Sequence, residues 1–247
     1  MTKTVKVKRK RWFAKDIFGL EVSFPGINPT PGQFFQVRTS DTLDPFLNRP
    51  ISVASYERNR LLFIIKVVGR GTRLLSEKKK GDDLVVFGPL GKRLKLKKRK
   101  TLLIAGGIGV APLYFLALKL HARKIDFTFL YGAKRPCDLI VKSSISRIAQ
   151  KAIFVTERGS RRSMTAVSAL RHIDTSMYEI GYTCGPKKML VELQALNLQF
   201  PVYAFCEDFL GCGCGLCLGC AIKYEGMYKR ICVDGPVFEL GKIEFNV

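Results

Sequence analysis

Thr101-Leu-Leu-Ile-Ala-Gly-Gly-Ile-Gly-Val-Ala-Pro-Leu-Tyr-Phe-Leu-Ala-Leu118 carries no charge over eighteen positions, long enough for a membrane span on length alone. Gly106, Gly107, Gly109 and Pro112 sit at its centre, where they would break a helix, and so exclude that reading. The stretch divides instead into a buried strand over 101–105, a glycine turn, and a helix over 110–121. A strand, a glycine turn and a helix in succession open a doubly wound parallel sheet. Downstream, apolar strands recur at 126–131, 152–156, 179–184 and 202–205, with helical patterns such as 187–196 between them. Residues 98–205 are therefore expected to form an α/β nucleotide-binding domain.

Before this stretch the pattern changes. Short strands at 19–24, 34–38, 51–55, 61–68 and 84–87 are separated by Pro and Gly turns, the spacing of a small antiparallel barrel over 1–97. The tail, 206–247, is a third piece. A chain of 247 residues has room for two domains and such an appendage.

Five of the eight cysteines crowd into the tail: Cys212, Cys214, Cys217, Cys220 and Cys232. From Cys212 the spacing is C-x4-C-x2-C, with a fourth thiol at Cys232, a spacing by which chains wrap a [2Fe-2S] cluster. Gly211, Gly213, Gly215 and Gly219 allow the positive φ and close backbone approach that such a loop requires. Other readings stay open at this level. Zinc takes four thiolates but usually from paired C-x2-C knuckles, and Cys214, Cys217 and Cys220 have the spacing of a [4Fe-4S] loop. Disulfides suit short secreted chains. Here the basic start is followed by Trp12-Phe13-Ala14, Lys15 and Asp16, which is no leader, so a cytoplasmic protein is expected.

Forty-two Lys and Arg face twenty Asp and Glu, leaving a net charge of +22. Ion-pair networks need both signs and cannot absorb that excess. It concentrates at 3–11, 78–80 and 92–100, the last a basic linker between the first two domains. A solvated surface accounts for such runs, and so does an acidic protein partner or nucleotide phosphates. No stacking-aromatic pattern accompanies them, which argues against nucleic acid.

Three further places carry chemistry. The turn Gly107-Ile-Gly109-Val-Ala-Pro112 lets a backbone approach a pyrophosphate at a helix N-terminus, where Pro is tolerated. Arg49-Pro50-Ile51-Ser52 and Gly69-Arg70-Gly71-Thr72 place arginine and hydroxyls near a glycine turn, which can hold a pyrophosphate by charge-assisted hydrogen bonds. Cys184-Gly185-Pro186 and Glu157 end strands at the carboxyl edge of the sheet, where ligands bind and an acid can take ribose hydroxyls. Taken singly, each also reads as an ordinary turn, a buried thiol or a solvated acid.

Taken in order they form a recognisable set. Pro31-Gly32-Gln33-Phe34, Arg49-Pro50-Ile51-Ser52, Gly71-Thr72, the turn at 106–112, Tyr131-Gly132-Ala133 and Cys184-Gly185-Pro186 resemble the ferredoxin–NAD(P) reductase superfamily. The tail, with Cys232-Val-Asp-Gly-Pro-Val-Phe238, resembles one branch of it, the electron-transfer subunits of dihydroorotate dehydrogenase B. That resemblance implies FAD on Arg49, Pro50, Ile51, Ser52, Ile64, Ile65, Lys66, Gly71 and Thr72. It implies a [2Fe-2S] cluster on Cys212, Cys217, Cys220 and Cys232. It also implies NAD on Gly106, Gly107, Gly109, Pro112 and Glu157, with Cys184 near the nicotinamide ring. A partner catalytic subunit with FMN, in a heterotetramer, would oxidise dihydroorotate in pyrimidine biosynthesis, and electrons would pass through the cluster and FAD to NAD.

Two departures from the pattern stand out: Cys214 is an added thiol, and Glu157-Arg158 stands where two acids are usual, which opens NADP beside NAD. Phe209, Leu210, Leu216 and Leu218 are the expected apolar contacts with the partner. His121 and His172, the only histidines, are assigned to structure. The rivals are a similar subunit serving a hydrogenase or a ferredoxin–NADP transhydrogenase and, in another class, a zinc-bearing basic module that binds nucleic acid.

Overall fold

The computed structural model describes residues 1–160 and 163–245. They gather into two bodies. One comprises Met1–Leu94, Glu207–Ile222 and Tyr228–Pro236, and the other Lys95–Cys206, Lys223–Met227 and the chain from Val237 onward.

In the first body, strands β1 (Thr2–Ala14), β2 (Ile17–Ser23), β3 (Phe34–Val37), β4 (Arg49–Glu57), β5 (Arg60–Lys66) and β6 (Asp83–Leu90) close into an antiparallel barrel, in the order β1-β2-β5-β4-β3-β6. Helix α1 (Arg70–Glu77) lies between β5 and β6 in the chain. The barrel closes on aromatic rings: Phe35 is fully buried, with the Phe24 and Phe63 rings each 5.7 Å away. Burying a side chain of this size contributes about 1.5–3 kcal/mol. Arg58 and Asn59 both take positive φ, the two-residue turn that matches strand twist in the β4–β5 hairpin.

The sequence reading did not include β1, although it is thirteen residues long. Only Val5 and Val7 on it are buried, and the basic side chains between and after them mask the period of two.

In the second body, β7 (Thr101–Gly106), β8 (Phe127–Ala133), β9 (Lys151–Thr156), β10 (Ile180–Cys184) and β11 (Val202–Phe205) pair in parallel in the order β9-β8-β7-β10-β11. Helices α2 (Val110–Ala122), α3 (Lys142–Ile148), α4 (Ala166–Leu170) and α5 (Lys187–Gln194) connect them. The chain from 101 to 118 divides as expected into β7, a single turn over Gly107–Gly109, and α2. Leu102, Leu103, Ile104 and Ala105 are fully buried, because a central parallel strand is covered on both faces. Among the described residues no helix is long and apolar enough to cross a membrane. The sheet reverses its order between β7 and β10, which places the glycine turn and Cys184 at the switch point where ligands bind in open α/β sheets.

The tail adds β12 (Ala221–Tyr224), β13 (Met227–Arg230), the short helix α6 (Ile231–Asp234), β14 (Val237–Glu239) and β15 (Ile243–Glu244). β14 joins the parallel sheet as an antiparallel edge on β11, and β15 pairs with β12.

Candidate functional site

The cysteine-bearing loop belongs to the barrel body. Cys220 and Cys232 are buried with their sulfurs 3.3 Å apart, because the Ile231 N–H donates to the Cys220 carbonyl at 2.9 Å and draws α6 beside the loop. Cys212 is half-buried, and the backbone N–H groups of Cys214 and Cys217 both point at its sulfur at 3.4 Å. Burial resists ionisation of Cys212, yet hydrogen bonds from the Cys217 and Cys214 N–H groups, the Cys217 thiol and the Leu216 N–H together outweigh it and draw the thiol pKa down to about 6. Burial, and next to it the neighbouring Cys220, push Cys232 up to about 12.

The thiols thus fall into two sets, Cys220 with Cys232 and Cys212 with the N–H of Cys217. Among the described residues no three Cys, His or acidic groups close to the spacing of a single-ion site. Two irons bridged by sulfide need two thiolates each, and a tetrahedral zinc needs all four at one point. The paired arrangement fits the binuclear cluster. Cys214, exposed and with its own pKa raised by burial and by Cys212, contributes its backbone N–H to the loop.

The loop glycines divide. Gly213 and Gly215 take positive φ, 73° and 89°, and a Cβ at Gly215 would meet Val233 at 2.6 Å. Gly211 and Gly219 do not take positive φ; the other left-handed residue of the loop is Leu218, at 58°. At Gly211 the glycine leaves room for sulfur, since a Cβ there would lie 3.4 Å from the Cys217 thiol. Phe209, Leu216 and Leu218 are exposed, at 92%, 83% and 63%. Leu210 is buried and is not available as a partner contact, because it packs inward where its carbonyl meets Gln36. Gln36 is a residue that sequence reasoning missed, since a lone Gln in a short strand carries no signal.

On the same body, Arg49, Pro50, Ile51 and Ser52 begin β4 and are all only half-buried. The Arg49 guanidinium donates to the Leu47 and Asn48 carbonyls and occupies the space beside Gly71, where a Cβ would come within 2.6–2.9 Å of it. Gly71 is therefore the residue type that lets Arg49 lie against the start of α1. Thr72 accepts from the Val68 and Gly69 N–H groups and donates to the Gly69 carbonyl, fixing the turn. Arg70 pairs with Asp44 at 2.6 Å and ties down the loop before β4. The Arg49 guanidinium beside Gly71 and the N-terminus of α1 offer donors of the kind that hold an anionic pyrophosphate, while Arg70 is engaged by Asp44. Ile64 and Ile65 are both buried, 3% and 2% exposed, on opposite faces of β5; Lys66 is exposed and faces Asp16 at 3.6 Å.

In the second body, Gly107 takes φ +54° with open space where a Cβ would be, and Gly109 abuts the carbonyl of Cys184, so that any side chain there would strike β10. Pro112 is buried in the first turn of α2. Cys184 is 1% exposed and lies beside Ala105 of β7. Glu157 is exposed just beyond β9, its N–H held by the Ala133 carbonyl at 3.1 Å, and Arg158 is exposed beside it. Arg161 and Arg162, which also bear on the choice of nucleotide, lie outside the described residues.

Part of the basic excess lines a concave face of the barrel. Lys8, Arg9, Lys10, Arg58, Arg60 and Lys80 line a groove of about 630 Å³ on the barrel, and Glu21, the acid in its lining, is already paired with Arg60 at 3.1 Å.

Residues 207–244 match the family model of the iron–sulfur cluster binding domain of dihydroorotate dehydrogenase B. The dihydroorotate dehydrogenase B (NAD(+)) electron transfer subunit of Geobacillus sp. (strain WCH70) is 34% identical over 96% of each chain. That of Desulforamulus reducens is 36% identical over 91% of each. Among solved structures, a chain of the NADH-dependent reduced ferredoxin–NADP oxidoreductase superposes with a TM-score of 0.88 at 26% identity, over 97% of this chain and 89% of that one. Phthalate dioxygenase reductase shares the fold with a TM-score of 0.68 at 19% identity, over 85% of this chain and 70% of that one.

Proposed function

The chain belongs to the family of dihydroorotate dehydrogenase B electron-transfer subunits, and we propose that it carries electrons from a catalytic partner to NAD. The observation that supports this most is that Cys220 and Cys232 meet sulfur to sulfur and Cys212 takes the Cys217 N–H on the same body, in a segment that matches the family's cluster-binding domain.

In this reading Cys212, Cys217, Cys220 and Cys232 hold the [2Fe-2S] cluster. Arg49 and the start of α1 hold the FAD pyrophosphate, with Pro50, Ile51, Ser52, Ile64, Ile65, Lys66, Gly71 and Thr72 around the flavin. Gly106, Gly107, Gly109 and Pro112 receive NAD, Glu157 takes its ribose, and Cys184 stands near the nicotinamide. Bound there, the flavin supplies the exchange between one-electron and hydride transfer that a cluster and a nicotinamide together require. The protein's part is placement and electrostatics. Arg49 neutralises phosphate charge, the Cys214 and Cys217 N–H groups stabilise a thiolate, and the buried Cys220 and Cys232 exclude water from one side of the cluster.

The partner in this proposal is an FMN-containing subunit that oxidises dihydroorotate, assembled with this chain as a cytoplasmic heterotetramer. Phe209, Leu216 and Leu218 around the cysteines supply its apolar contact. The test is reconstitution. The isolated chain should be yellow-brown, contain two irons and one FAD, pass electrons from NADH to artificial acceptors, and leave dihydroorotate untouched. Mixing with the catalytic subunit should create dihydroorotate-dependent NAD reduction. A colourless protein, or a loaded one that never engages that subunit at low salt, would overturn the reading; the second result would favour the hydrogenase-type assignment.

A further inference from the structure

We propose that Gln36 is a positioning residue for electron passage between cluster and flavin: its side-chain amide fixes the cysteine loop on the strand that pairs with the flavin motif. The inference rests on the reading above and concerns a residue outside its ligand sets.

Gln36 lies on β3, with Pro50 of β4 and Phe87 of β6 as its cross-strand partners. All four residues of β3 are buried, and Gln36, 1% exposed, is the polar one among them. Its Nε2 donates to the Leu210 carbonyl at 2.8 Å and lies 3.5 Å from the Gly211 carbonyl, so one amide grips the chain immediately before Cys212. On the other side of Cys212, Gly213 turns through φ +73°. A Cβ there would fall 2.8 Å from Gln36 Cγ and 3.0 Å from Nε2. The loop backbone on both sides of the first ligand is thus laid directly on this side chain, a fit that needs glycine at 213.

The same amide leaves its Oε1 buried and without a hydrogen-bond partner among the described residues. A buried acceptor without a partner is unfavourable, and an apolar side chain of similar size would avoid it. Gln therefore serves through what its Nε2 does, which is to set the height of Cys212 over the barrel strand that leads to Pro50.

The step it serves moves one electron at a time. With the cofactors bound, NADH would supply a hydride, two electrons and one proton, to the flavin; one electron would go on to the cluster, the other to an added one-electron acceptor, and the proton to solvent. A small displacement of reacting groups costs rate steeply.

The experiment uses the full chain, anaerobically, as wild type, Gln36→Leu and Gln36→Met. Iron, sulfide and flavin contents are measured first. Stopped-flow absorbance then follows flavin bleaching by NADH and cluster reduction separately, and the EPR signal and midpoint potential of the reduced cluster are recorded. The expected result for both variants is full cofactor content, flavin bleaching at the wild-type rate, cluster reduction slowed by about tenfold or more, and a shifted EPR signal. Unchanged cluster kinetics and EPR in a fully loaded Gln36→Leu protein would overturn the proposal. So would loss of iron with flavin kept, which would make Gln36 a retention device. If Gln36→Leu does not fold, Gln36→Met decides by the same criteria. A wild type without flavin and iron would overturn the underlying reading as well, whereas a loaded wild type with unaffected variants overturns this inference alone.

Discussion

Cys220 and Cys232 meet sulfur to sulfur at 3.3 Å across a hairpin, joined by a backbone hydrogen bond from Ile231 to Cys220. Replacing Cys212, Cys217, Cys220 or Cys232 by Ser should each deplete iron and sulfide, since a [2Fe-2S] centre needs four thiolates. Cys214→Ser should keep both, because residue 214 contributes its N–H to the Cys212 sulfur and serine retains that group. Iron analysis of the five variants checks this. Loss in Cys214→Ser with retention in Cys212→Ser would reverse the ligand set.

Gly71→Ala should release flavin without unfolding the barrel. The new methyl would sit 2.6–2.9 Å from the Arg49 guanidinium and push it off the start of α1. A hydrogen bond to a charged group contributes about 1.5–3 kcal/mol, so FAD affinity should fall roughly ten- to a hundredfold. Flavin titration of the apoprotein measures this, and unchanged affinity would remove Arg49 from the pyrophosphate site.

Diaphorase activity should favour NADH over NADPH. Glu157, exposed at the end of β9, repels a 2′-phosphate and accepts from a ribose hydroxyl pair. Glu157→Ala should weaken the preference by roughly tenfold, chiefly through the NADH KM. A wild-type preference for NADPH would assign the site to Arg158 and the basic residues after it.

Association with an acidic catalytic partner should be fast and salt-sensitive. Six cations line the barrel groove, and its acid is already paired. Raising salt from ~0.01 M to ~0.15 M shortens the Debye length from ~30 Å to ~8 Å, and the association rate should drop by about tenfold or more while dissociation stays nearly constant. Surface plasmon resonance with Arg58→Glu and Lys80→Glu tests whether this groove does the steering. Unaltered association would leave it a solvated face.

The sheet body was legible because its signals are local and redundant. A central strand such as 101–105 is apolar on both faces, and glycines mark the turn that follows. The barrel was legible at β2 to β6 and not at β1, where lysines on the solvent face outnumber the two buried valines. At the cluster, cysteine spacing named the ligands, because the cluster constrains covalent distance along the chain. It did not show which thiols pair, which glycines turn through positive φ, or that Leu210 points inward. Those depend on contacts between residues far apart in sequence. Gln36 lies 174 positions from Leu210, and nothing in the local pattern of either residue announces the other.

The tail is assigned alternately to the two bodies: 207–222 and 228–236 to the barrel, 223–227 and 237 onward to the sheet. Six segments mean that the chain passes between the bodies five times. Many two-domain chains cross once and can be cut at the crossing into independently folding halves. Here no single cut separates the two bodies: a cut after Leu94 keeps the six barrel strands together but leaves Glu207–Ile222 and Tyr228–Pro236, which belong to the same body, on the other side. The tail that carries the cysteines is in this sense divided stretch by stretch, with Cys212, Cys214, Cys217, Cys220 and Cys232 all assigned to the barrel body. Excising 207–247 as a block would remove segments from both bodies, so single substitutions disturb it less than deletion or replacement of the whole.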